Sequence, residues 1–184
     1  MLVPRPDTET LVDWALELLP TNGRVIDLGT GSGAIALALQ HARPDVWVRA
    51  VDASADALAV AQANAQRLQL AVQFAQGNWL DGVQDGFDLV VSNPPYIASA
   101  DHHLAALKHE PLQALASGLD GLDDIRSIIH QAPKHLLPGG WLLLEHGYDQ
   151  AATVRALLAA AGLHNAQSRR DLAGIERCSG AQQL

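Results

Sequence analysis

Short apolar runs alternate along the chain with longer stretches rich in alanine, leucine and polar residues. Short runs of β-branched and other apolar side chains are typical of buried parallel strands. They predict strands at 24–28, 46–51, 71–75, 87–92 and 141–145. The stretches between them predict helices at 34–42, 56–70, 123–137 and 150–161. The residues from 163 onward offer a weaker pattern for two further strands.

Capping and breaking residues place some of the helix ends. Ser54 precedes the second predicted helix and is a typical N-cap, and Gly162 follows the last one as a C-cap. The P-G-G run at 138–140 predicts a break between the third helix and the fifth strand. The longest stretch without an assigned element runs from 97 to 122, and loops of that length in compact domains are usually functional.

The alternation of strands and helices predicts an α/β fold with a mostly parallel sheet and helices on both faces. A chain of 184 residues supports one substantial core, so we expect residues 1–184 to form a single domain. In such sheets ligands bind outside the carboxyl ends of the strands. The residues that follow each strand are therefore the candidates for chemistry.

A glycine-rich turn follows the first strand, where residues 27–34 read D-L-G-T-G-S-G-A. Glycines there allow a tight turn and let a ligand lie against bare backbone at a helix N-terminus. Asp52 ends the second strand, at a spacing suited to a carboxylate that accepts hydrogen bonds from a ribose. A dinucleotide is compatible with this pattern, because G-x-G-x-x-A is an allowed variant of its fingerprint.

Two details favour S-adenosylmethionine over NAD as the cofactor. Asp27 lies two residues before the first glycine, where a carboxylate would repel a pyrophosphate but suit the ammonium of a methionine moiety. The chain has 20 acidic and 12 basic residues, a formal net charge of −8, which suits a cationic sulfonium better than a polyanion.

The fourth strand is followed by Asn93-Pro94-Pro95-Tyr96. Two consecutive prolines remove two backbone donors and fix two φ angles, which leaves the carbonyls of Asn93 and Pro94 free to face a cleft. With the Asn93 side-chain oxygen they form a set of rigid acceptors for an NH₂ group, and the Tyr96 ring offers a flat surface for a planar amide or base. Acceptors that hold both N–H bonds can aim a delocalised lone pair and stabilise positive charge growing on nitrogen. This motif predicts methylation of an amide or base amine.

Composition limits the classes of binding partner and the cellular compartment that we expect for this protein. A duplex-binding surface carries a basic stripe for phosphates, whereas this chain is acidic and its lysines are Lys108 and Lys134, so we expect no nucleic-acid partner. No apolar stretch reaches the roughly 18 residues of a membrane span, and the N-terminus lacks the pattern of a signal peptide. One cysteine, Cys178, fits a reducing compartment. We expect a cytoplasmic protein with no membrane partner.

A metal site is not expected. Three histidines, His102, His103 and His109, cluster in the unassigned stretch, but their spacing fits no common zinc pattern and Cys178 is remote in sequence. We interpret these histidines as exposed loop residues.

The chain resembles the catalytic domain of the release factor glutamine methyltransferases, the HemK-like family. The resemblance rests on blocks spread over nearly the whole chain. They are P-R-P-D-T-E at 4–9, the loop at 29–33, N-P-P-Y at 93–96, E-P-x-Q-A-L at 110–115, D-G-L-D at 120–123, P-G-G at 138–140, E-H-G-x-D-Q at 145–150 and R-D-L-A-G at 170–174. N-P-P-Y is shared with enzymes that methylate DNA or RNA bases. The first block and E-H-G-x-D-Q distinguish the release factor glutamine methyltransferases from those enzymes.

The resemblance implies a class I S-adenosylmethionine-dependent methyltransferase with a Rossmann-like, seven-stranded sheet. The implied acceptor is the side-chain amide nitrogen of the glutamine in the Gly-Gly-Gln motif of a peptide chain release factor. It implies that Asp52 binds the cofactor's ribose, that Trp79 flanks its adenine and that residues 5–9 cover its methionine end. The other implied cofactor contacts are Gly29, Thr30, Gly31, Ser32, Gly33 and Asn93. Asn93, Pro94, Pro95 and Tyr96 would hold the glutamine, with Asn93, Pro94 and Tyr96 as the catalytic group.

The sequence departs from the family pattern at three places. Asp7 stands where the family usually has glutamate, and Asn78 replaces an aspartate that is common before the aromatic residue. Family members also carry an N-terminal helical domain that helps to seat the release factor, whereas this chain starts at the first motif. We therefore expect a catalytic domain without that helical domain.

Three other functions compete with this interpretation. An adenine-N6 or other base-amine methyltransferase would need a target-recognition segment and a basic face. A non-catalytic cofactor-binding subunit would not need an intact N-P-P-Y motif. An NAD oxidoreductase would need an acid or base for hydride transfer at the strand ends, and the sequence offers none there.

Overall fold

The computed structural model describes residues 7–99 and 115–184. Seven strands form one sheet in the order β3-β2-β1-β4-β5-β7-β6. The strands are β1 (Arg24–Leu28), β2 (Trp47–Asp52), β3 (Val72–Gln76), β4 (Phe87–Ser92), β5 (Leu136–Glu145), β6 (His164–Arg170) and β7 (Glu176–Gln182). The helices are α1 (Asp7–Leu18), α2 (Ala34–Ala42), α3 (Ala55–Leu68), α4 (Asp123–Gln131) and α5 (Ala151–Ala160).

The sheet is parallel except at β7, which pairs antiparallel with both β5 and β6. Strand β1 lies at the centre of the parallel part, between β2 and β4. The loops after β1, β2, β3, β4 and β5 therefore leave the sheet at the same edge. This arrangement confirms the predicted α/β class, the mostly parallel sheet and the seventh strand that the resemblance implied.

Two hydrophobic clusters cover the two faces of the sheet. Alternate side chains of each strand point to opposite faces, so Val25 belongs to one cluster and Ile26 to the other. Helices α1 and α2 pack on the face of Val25. Helices α4 and α5 pack on the face of Ile26. This layering holds the loops at the carboxyl edge from both sides.

Helix α1 was not predicted as an element. It buries Leu11 and Trp14 in the cluster around Val25, and the Trp14 ring lies 6.2 Å from that of Trp141 on β5. Arg169 of β6 stacks over the Trp14 ring at 4.8 Å. These contacts fix α1 against the sheet and bring its first turn to the carboxyl edge of β5.

The predicted break at 138–140 is wrong, because P-G-G lies inside β5. The register of β4 against β5 shifts between Phe87 and Leu89, which marks a β-bulge. Pro138 is tolerated at such an irregularity, and Gly140 lies so close to Phe87 that a Cβ would be 3.0 Å from the Phe87 carbonyl oxygen. The fifth strand therefore starts at Leu136 instead of the predicted 141.

The predicted helix at 123–137 ends earlier, at Gln131, and a 3-10 turn follows over Ala132–Lys134. Pro133 has no N–H to donate to an α-helical carbonyl, which explains the early end. The other predicted elements lie within two residues of the observed ones. The N-cap is confirmed, since the Ser54 side chain accepts from the Ala57 N–H. The C-cap of α5 is Ala161 instead of Gly162, which follows it with a positive φ of 84°.

Within the described residues no helix is long and apolar enough to cross a membrane.

Gly180 offers a test of the packing between β7 and β5. It is buried, and a Cβ there would meet the Leu143 side chain and lie 2.7 Å from the Leu142 carbonyl oxygen. We expect Gly180→Ala to lower the free energy of unfolding by about 1–3 kcal/mol, because the neighbouring backbone must shift. Denaturant unfolding would measure this as a lower midpoint at unchanged slope. An unchanged midpoint would contradict the observed β5–β7 packing.

Candidate active site

A cleft of about 810 Å³ opens at the carboxyl edge of the parallel strands. The loops after β1, β2, β3 and β4 and the first turn of α1 form its walls. The lining residues are Thr8, Gly29, Thr30, Gly31, Ser32, Ala34, Ile35, Asp52, Ala53, Ser54, Asp56, Ala57, Val60, Gly77, Asn78, Trp79, Asn93, Pro95 and Asp124.

The glycine loop forms the floor of the cleft. Its backbone turns sharply after β1, with Gly29 at φ 67° and Gly31 at φ 57°, conformations that side-chain-bearing residues rarely adopt. The N–H groups of Gly29 and Thr30 both donate to the Val51 carbonyl, at 2.8 and 3.0 Å, which ties the loop to β2. A Cβ on Gly31 would meet no atom within 4 Å. Bare backbone therefore faces open space at this point, as the sequence predicted.

Asp52 lies on the cleft wall at the end of β2. Its carboxylate accepts the Gly31 N–H at 2.8 Å on one oxygen and the Ser54 N–H at 2.9 Å on the other. These bonds fix the carboxylate beside the glycine loop. Each oxygen keeps a further lone pair that can accept a hydroxyl from a ligand.

Trp79 forms another part of the wall, after β3. Its ring packs over Gly29, where a Cβ would be only 3.1 Å from the indole. Trp79 itself has a positive φ of 53°, a strained conformation for a bulky residue. The next N–H, that of Leu80, donates to Gln131 of α4 at 2.9 Å and holds the turn in place.

Asp27 lies beneath the glycine loop and not on the cleft wall. It is fully buried, and one of its oxygens accepts the Thr30 hydroxyl at 2.6 Å and the Ala36 N–H at 3.2 Å. Burial raises the pKa of Asp27 to about 7, against the opposing effect of these two hydrogen bonds. Its structural role is to brace the loop against the first turn of α2.

The N-P-P-Y corner begins where β4 ends beside β1. The Ser92 hydroxyl donates to the Leu28 carbonyl at 2.7 Å and locks the two strand ends together. The Asn93 side-chain N–H₂ donates to the Thr8 hydroxyl at 3.3 Å, and Thr8 donates to the buried carboxylate of Glu145 at 2.8 Å. Asn93 lines the cleft. Its side-chain oxygen is buried and has no hydrogen-bond partner among residues 7–99 and 115–184.

Tyr96 is held on the outer side of the corner. Its carbonyl accepts the Gln150 side-chain N–H at 3.0 Å, and its hydroxyl accepts from Arg177 at 3.2 Å. The Arg177 guanidinium lies 5.6 Å from the centre of the Tyr96 ring. Gln150 also accepts the Gly147 N–H at 2.8 Å, so one side chain joins the corner to the loop after β5.

The cleft brings together most of the site residues predicted from the sequence. Lining it are Gly29, Thr30, Gly31, Ser32, Asp52, Trp79, Asn93 and Pro95. Gly33, Pro94 and Tyr96 are not among the lining residues. Gly33 has φ 85° at the start of α2 and packs against Ala61 of α3, so its glycine serves helix packing. The assigned roles of Pro94 and Tyr96 stay predictions.

Sequence reasoning missed several contributors. Ala53 and Gly77 directly follow β2 and β3, and their position after a strand was the available signal. Asp124 reaches the cleft from the first turn of α4. Gln150 was quoted only as part of a motif, and its bonds to Tyr96 and Gly147 could not be inferred from spacing.

Some sequence predictions lie outside the described residues. They are those on Arg5, His102, His103 and His109 and on the motif at 110–114. Over 7–99 and 115–184 no group of three or more His, Cys, Asp or Glu side chains is arranged to hold a metal ion.

The buried carboxyl group of Asp27 should make stability depend on pH. Its folded-state pKa of about 7 exceeds the ordinary 3.8, so the native state binds more protons than the unfolded state between these values and loses stability as pH rises through them. Asp27→Asn keeps an oxygen for both hydrogen bonds but does not titrate. Between pH 5 and 7 the wild type should lose up to about 1.4 kcal/mol per pH unit relative to the variant. Urea unfolding of both proteins would measure the difference, and parallel pH curves would contradict the assignment.

Comparison with known proteins agrees with this geometry. The family model described as "Methyltransferase small domain" matches residues 8–120. A release factor glutamine methyltransferase from Bordetella pertussis is 54% identical over 98% of this chain and 69% of that protein. A solved release factor-specific protein-(glutamine-N5) methyltransferase from Alicyclobacillus acidocaldarius is 31% identical, with a TM-score of 0.62 over 98% of this chain and 94% of that one.

A further solved structure shares the fold alone. It is a 16S rRNA methyltransferase from Thermus thermophilus in complex with AdoMet and guanosine, 19% identical, with a TM-score of 0.74 over 99% of this chain and 44% of that one. The chain spans about two thirds of the length of the curated relatives it matches. An identity above 50% over nearly the whole chain shows that the two proteins are homologous. The chain belongs to the release factor glutamine methyltransferase family.

Proposed function

We propose that this chain transfers a methyl group from S-adenosylmethionine to the side-chain amide nitrogen of the glutamine in the Gly-Gly-Gln motif of a peptide chain release factor. Family membership supports the reaction class and the acceptor. The observation that carries the proposal concerns the side chain of Asn93, a residue that lines the cleft: its oxygen is buried and has no hydrogen-bond partner in the described part of the chain. A buried acceptor without a donor is costly unless a ligand supplies one.

The cleft fits S-adenosylmethionine on three counts. Gly31 leaves bare backbone open to the cleft, Asp52 presents a fixed carboxylate for a ribose, and Trp79 supplies an aromatic face for an adenine. The cofactor supplies, when bound, a methyl carbon on a cationic sulfur. The volume of about 810 Å³ lies within the range of small-molecule clefts.

Asn93 is placed to hold the acceptor. Its oxygen would accept an N–H bond of the glutamine amide, and the carbonyl of Pro94 is the candidate for the second N–H. An amide nitrogen is a weak nucleophile because its lone pair is delocalised into the carbonyl. Acceptors on both N–H bonds stabilise the positive charge that grows on nitrogen, and one such preorganised group contributes about 2.7–4 kcal/mol in oxyanion sites.

This arrangement needs no general base. The amide nitrogen forms the new bond to the methyl carbon while the bond from sulfur to that carbon breaks, and the proton leaves nitrogen for solvent afterwards. The chain's contribution is to position and polarise the amide, and alignment of two bound reactants can be worth about 7–11 kcal/mol. We propose that residues 1–184 form one catalytic domain for this reaction.

The acceptor role of Asn93 can be tested by truncation. We expect Asn93→Ala to lower methyl transfer at least about 100-fold, because it removes the preorganised acceptor. Affinity for S-adenosylmethionine should stay within several-fold. The measurement is incubation with labelled cofactor and release factor, followed by mass spectrometry of the modified residue.

The control for this test is Asn165→Ala, which removes an exposed asparagine near the opposite end of the sheet. Near-normal turnover of Asn93→Ala would refute the acceptor role. A parallel incubation with duplex DNA distinguishes the acceptor class, because methylation of the DNA and not of the release factor would replace the proposal by a base-amine methyltransferase.

Asp52 provides a test of the cofactor site that needs no acceptor. We expect Asp52→Ala to weaken binding of S-adenosylmethionine by about 1–3 kcal/mol, the cost of losing hydrogen bonds to a charged partner. Isothermal titration calorimetry would measure it, with Asp13→Ala on the exposed side of α1 as the matched control. Equal affinities of the two variants would remove Asp52 from the site.

A further inference from the structure

We infer that Thr8 and Glu145 are positioning residues that set the orientation of the Asn93 side-chain amide, so that its oxygen and not its nitrogen faces the acceptor. This inference rests on the proposed function, because it assigns a purpose to the Asn93 oxygen. Neither residue was assigned this role from the sequence.

Three elements bring the side chains together. Thr8 lies in the first turn of α1, Asn93 follows β4 directly, and Glu145 ends β5. Strands β4 and β5 are neighbours whose paired residues Ser92 and Leu144 immediately precede Asn93 and Glu145. The α1 helix adds Thr8, which contacts both partners across 85 and 137 residues of sequence.

The order of donors and acceptors follows from counting protons. A threonine hydroxyl has one proton, and the Glu145 oxygen that faces Thr8 is the acceptor of their hydrogen bond. At 2.8 Å from the Glu145 oxygen, the Thr8 proton is used for that bond. The Thr8 oxygen can then only accept from Asn93, so the side chain at 3.3 Å must present its nitrogen.

The reverse amide orientation is excluded by the same count. With its oxygen turned to Thr8, Asn93 would compete with Glu145 for a single proton, and one of the two acceptors would lose its hydrogen bond to Thr8. That loss costs about 1–3 kcal/mol at a buried site. Glu145 is fully buried and Thr8 nearly so, which keeps water from supplying a substitute donor. Glu145 thereby selects the orientation of the Asn93 amide through Thr8.

The consequence at the cleft is that the Asn93 oxygen points away from Thr8 and has no partner among residues 7–99 and 115–184. If Thr8 lost its hydroxyl, the amide could rotate by half a turn and present N–H₂ to the acceptor. The N–H₂ groups of Asn93 and of the glutamine would then face each other. The Asn93 amide would destabilise the positive charge that grows on the glutamine nitrogen in the transition state.

Kinetics of Thr8 and Glu145 variants test the inference. We expect Thr8→Val, which keeps the shape but removes the hydroxyl, to lower kcat for methyl transfer about 10- to 100-fold, since small errors of placement cost this much. The KM for S-adenosylmethionine should change less than threefold. Thr8→Ser should restore kcat to within about threefold of the wild type. Thr10→Val, two residues along α1 and outside the cleft, is the matched control.

Glu145→Met provides a separate check on the proton count. It removes the acceptor of the Thr8 hydroxyl, so the hydroxyl proton becomes available to the Asn93 oxygen and favours the reversed amide. We expect kcat to fall about as far as in Thr8→Val. A kcat equal to that of the wild type would contradict the proposed order of donors.

A double-mutant cycle separates positioning from simple damage to the fold. If Thr8 acts through Asn93, Thr8→Val should have no further effect on kcat in the Asn93→Ala background. If Thr8 only stabilises the fold, the two losses should multiply, and this result would overturn the inference. Wild-type protein that fails to methylate the release factor would instead refute the proposed function, so the two failures are distinguishable.

A readout independent of activity is the side-chain N–H₂ resonance of Asn93 in ¹⁵N-labelled protein, assigned by its loss in Asn93→Ala. We expect the proton that is bonded to Thr8 to shift in Thr8→Val, to return in Thr8→Ser and to stay in place in Thr10→Val. An unchanged resonance in Thr8→Val would show that Thr8 does not orient the amide and would overturn the inference.

Discussion

The site depends on the parallel register of β4 between β1 and β5. This register brings the glycine loop, the Asn93 corner and the end of β5 to one edge of the sheet, and the Ser92 hydroxyl bonded to the Leu28 carbonyl at 2.7 Å fixes the first two against each other. A shift of β4 by one residue would turn Asn93 to the other face of the sheet. The two hydrophobic clusters that clamp the sheet therefore hold the geometry of the cleft as well as the fold.

The sequence predicted the fold and much of the cleft because those features are local. Strand β4 and the glycine loop are continuous patterns, and the residue after each parallel strand faces the ligand edge. What the sequence could not predict depends on contacts between distant residues. Thr8 reaches Glu145 across 137 positions. The packing of Gly33 against Ala61 and the hydrogen bond from Arg177 to the Tyr96 hydroxyl likewise depend on how helices and strands pack. Spacing along the chain does not encode these contacts.

The wrong predictions have the same origin. P-G-G at 138–140 has the composition of a segment that ends a strand or helix. However, β4 on one side and the residues after β7 on the other supply hydrogen-bond partners, so the segment forms an irregular part of β5. Pro133 acted in the opposite direction and ended α4 early, because a missing N–H cannot be replaced by tertiary contacts. Neighbouring strands can overcome the weak turn preference of P-G-G, whereas tertiary contacts cannot supply the backbone N–H that Pro133 lacks.

Local costs concentrate around the cleft. Trp79 has a strained positive φ, and Asp27 is a fully buried carboxyl group whose pKa is raised by burial. The Asn93 oxygen has no donor in the described part of the chain. Each feature opposes folding, and a strained backbone residue alone costs about 1–3 kcal/mol. Costs of this kind persist where a rigid surrounding structure keeps a site ready for its ligand. Their shared location indicates that the cleft is built for the reaction at some expense of stability, and that the glycine loop and the Asn93 corner are set before the reactants arrive.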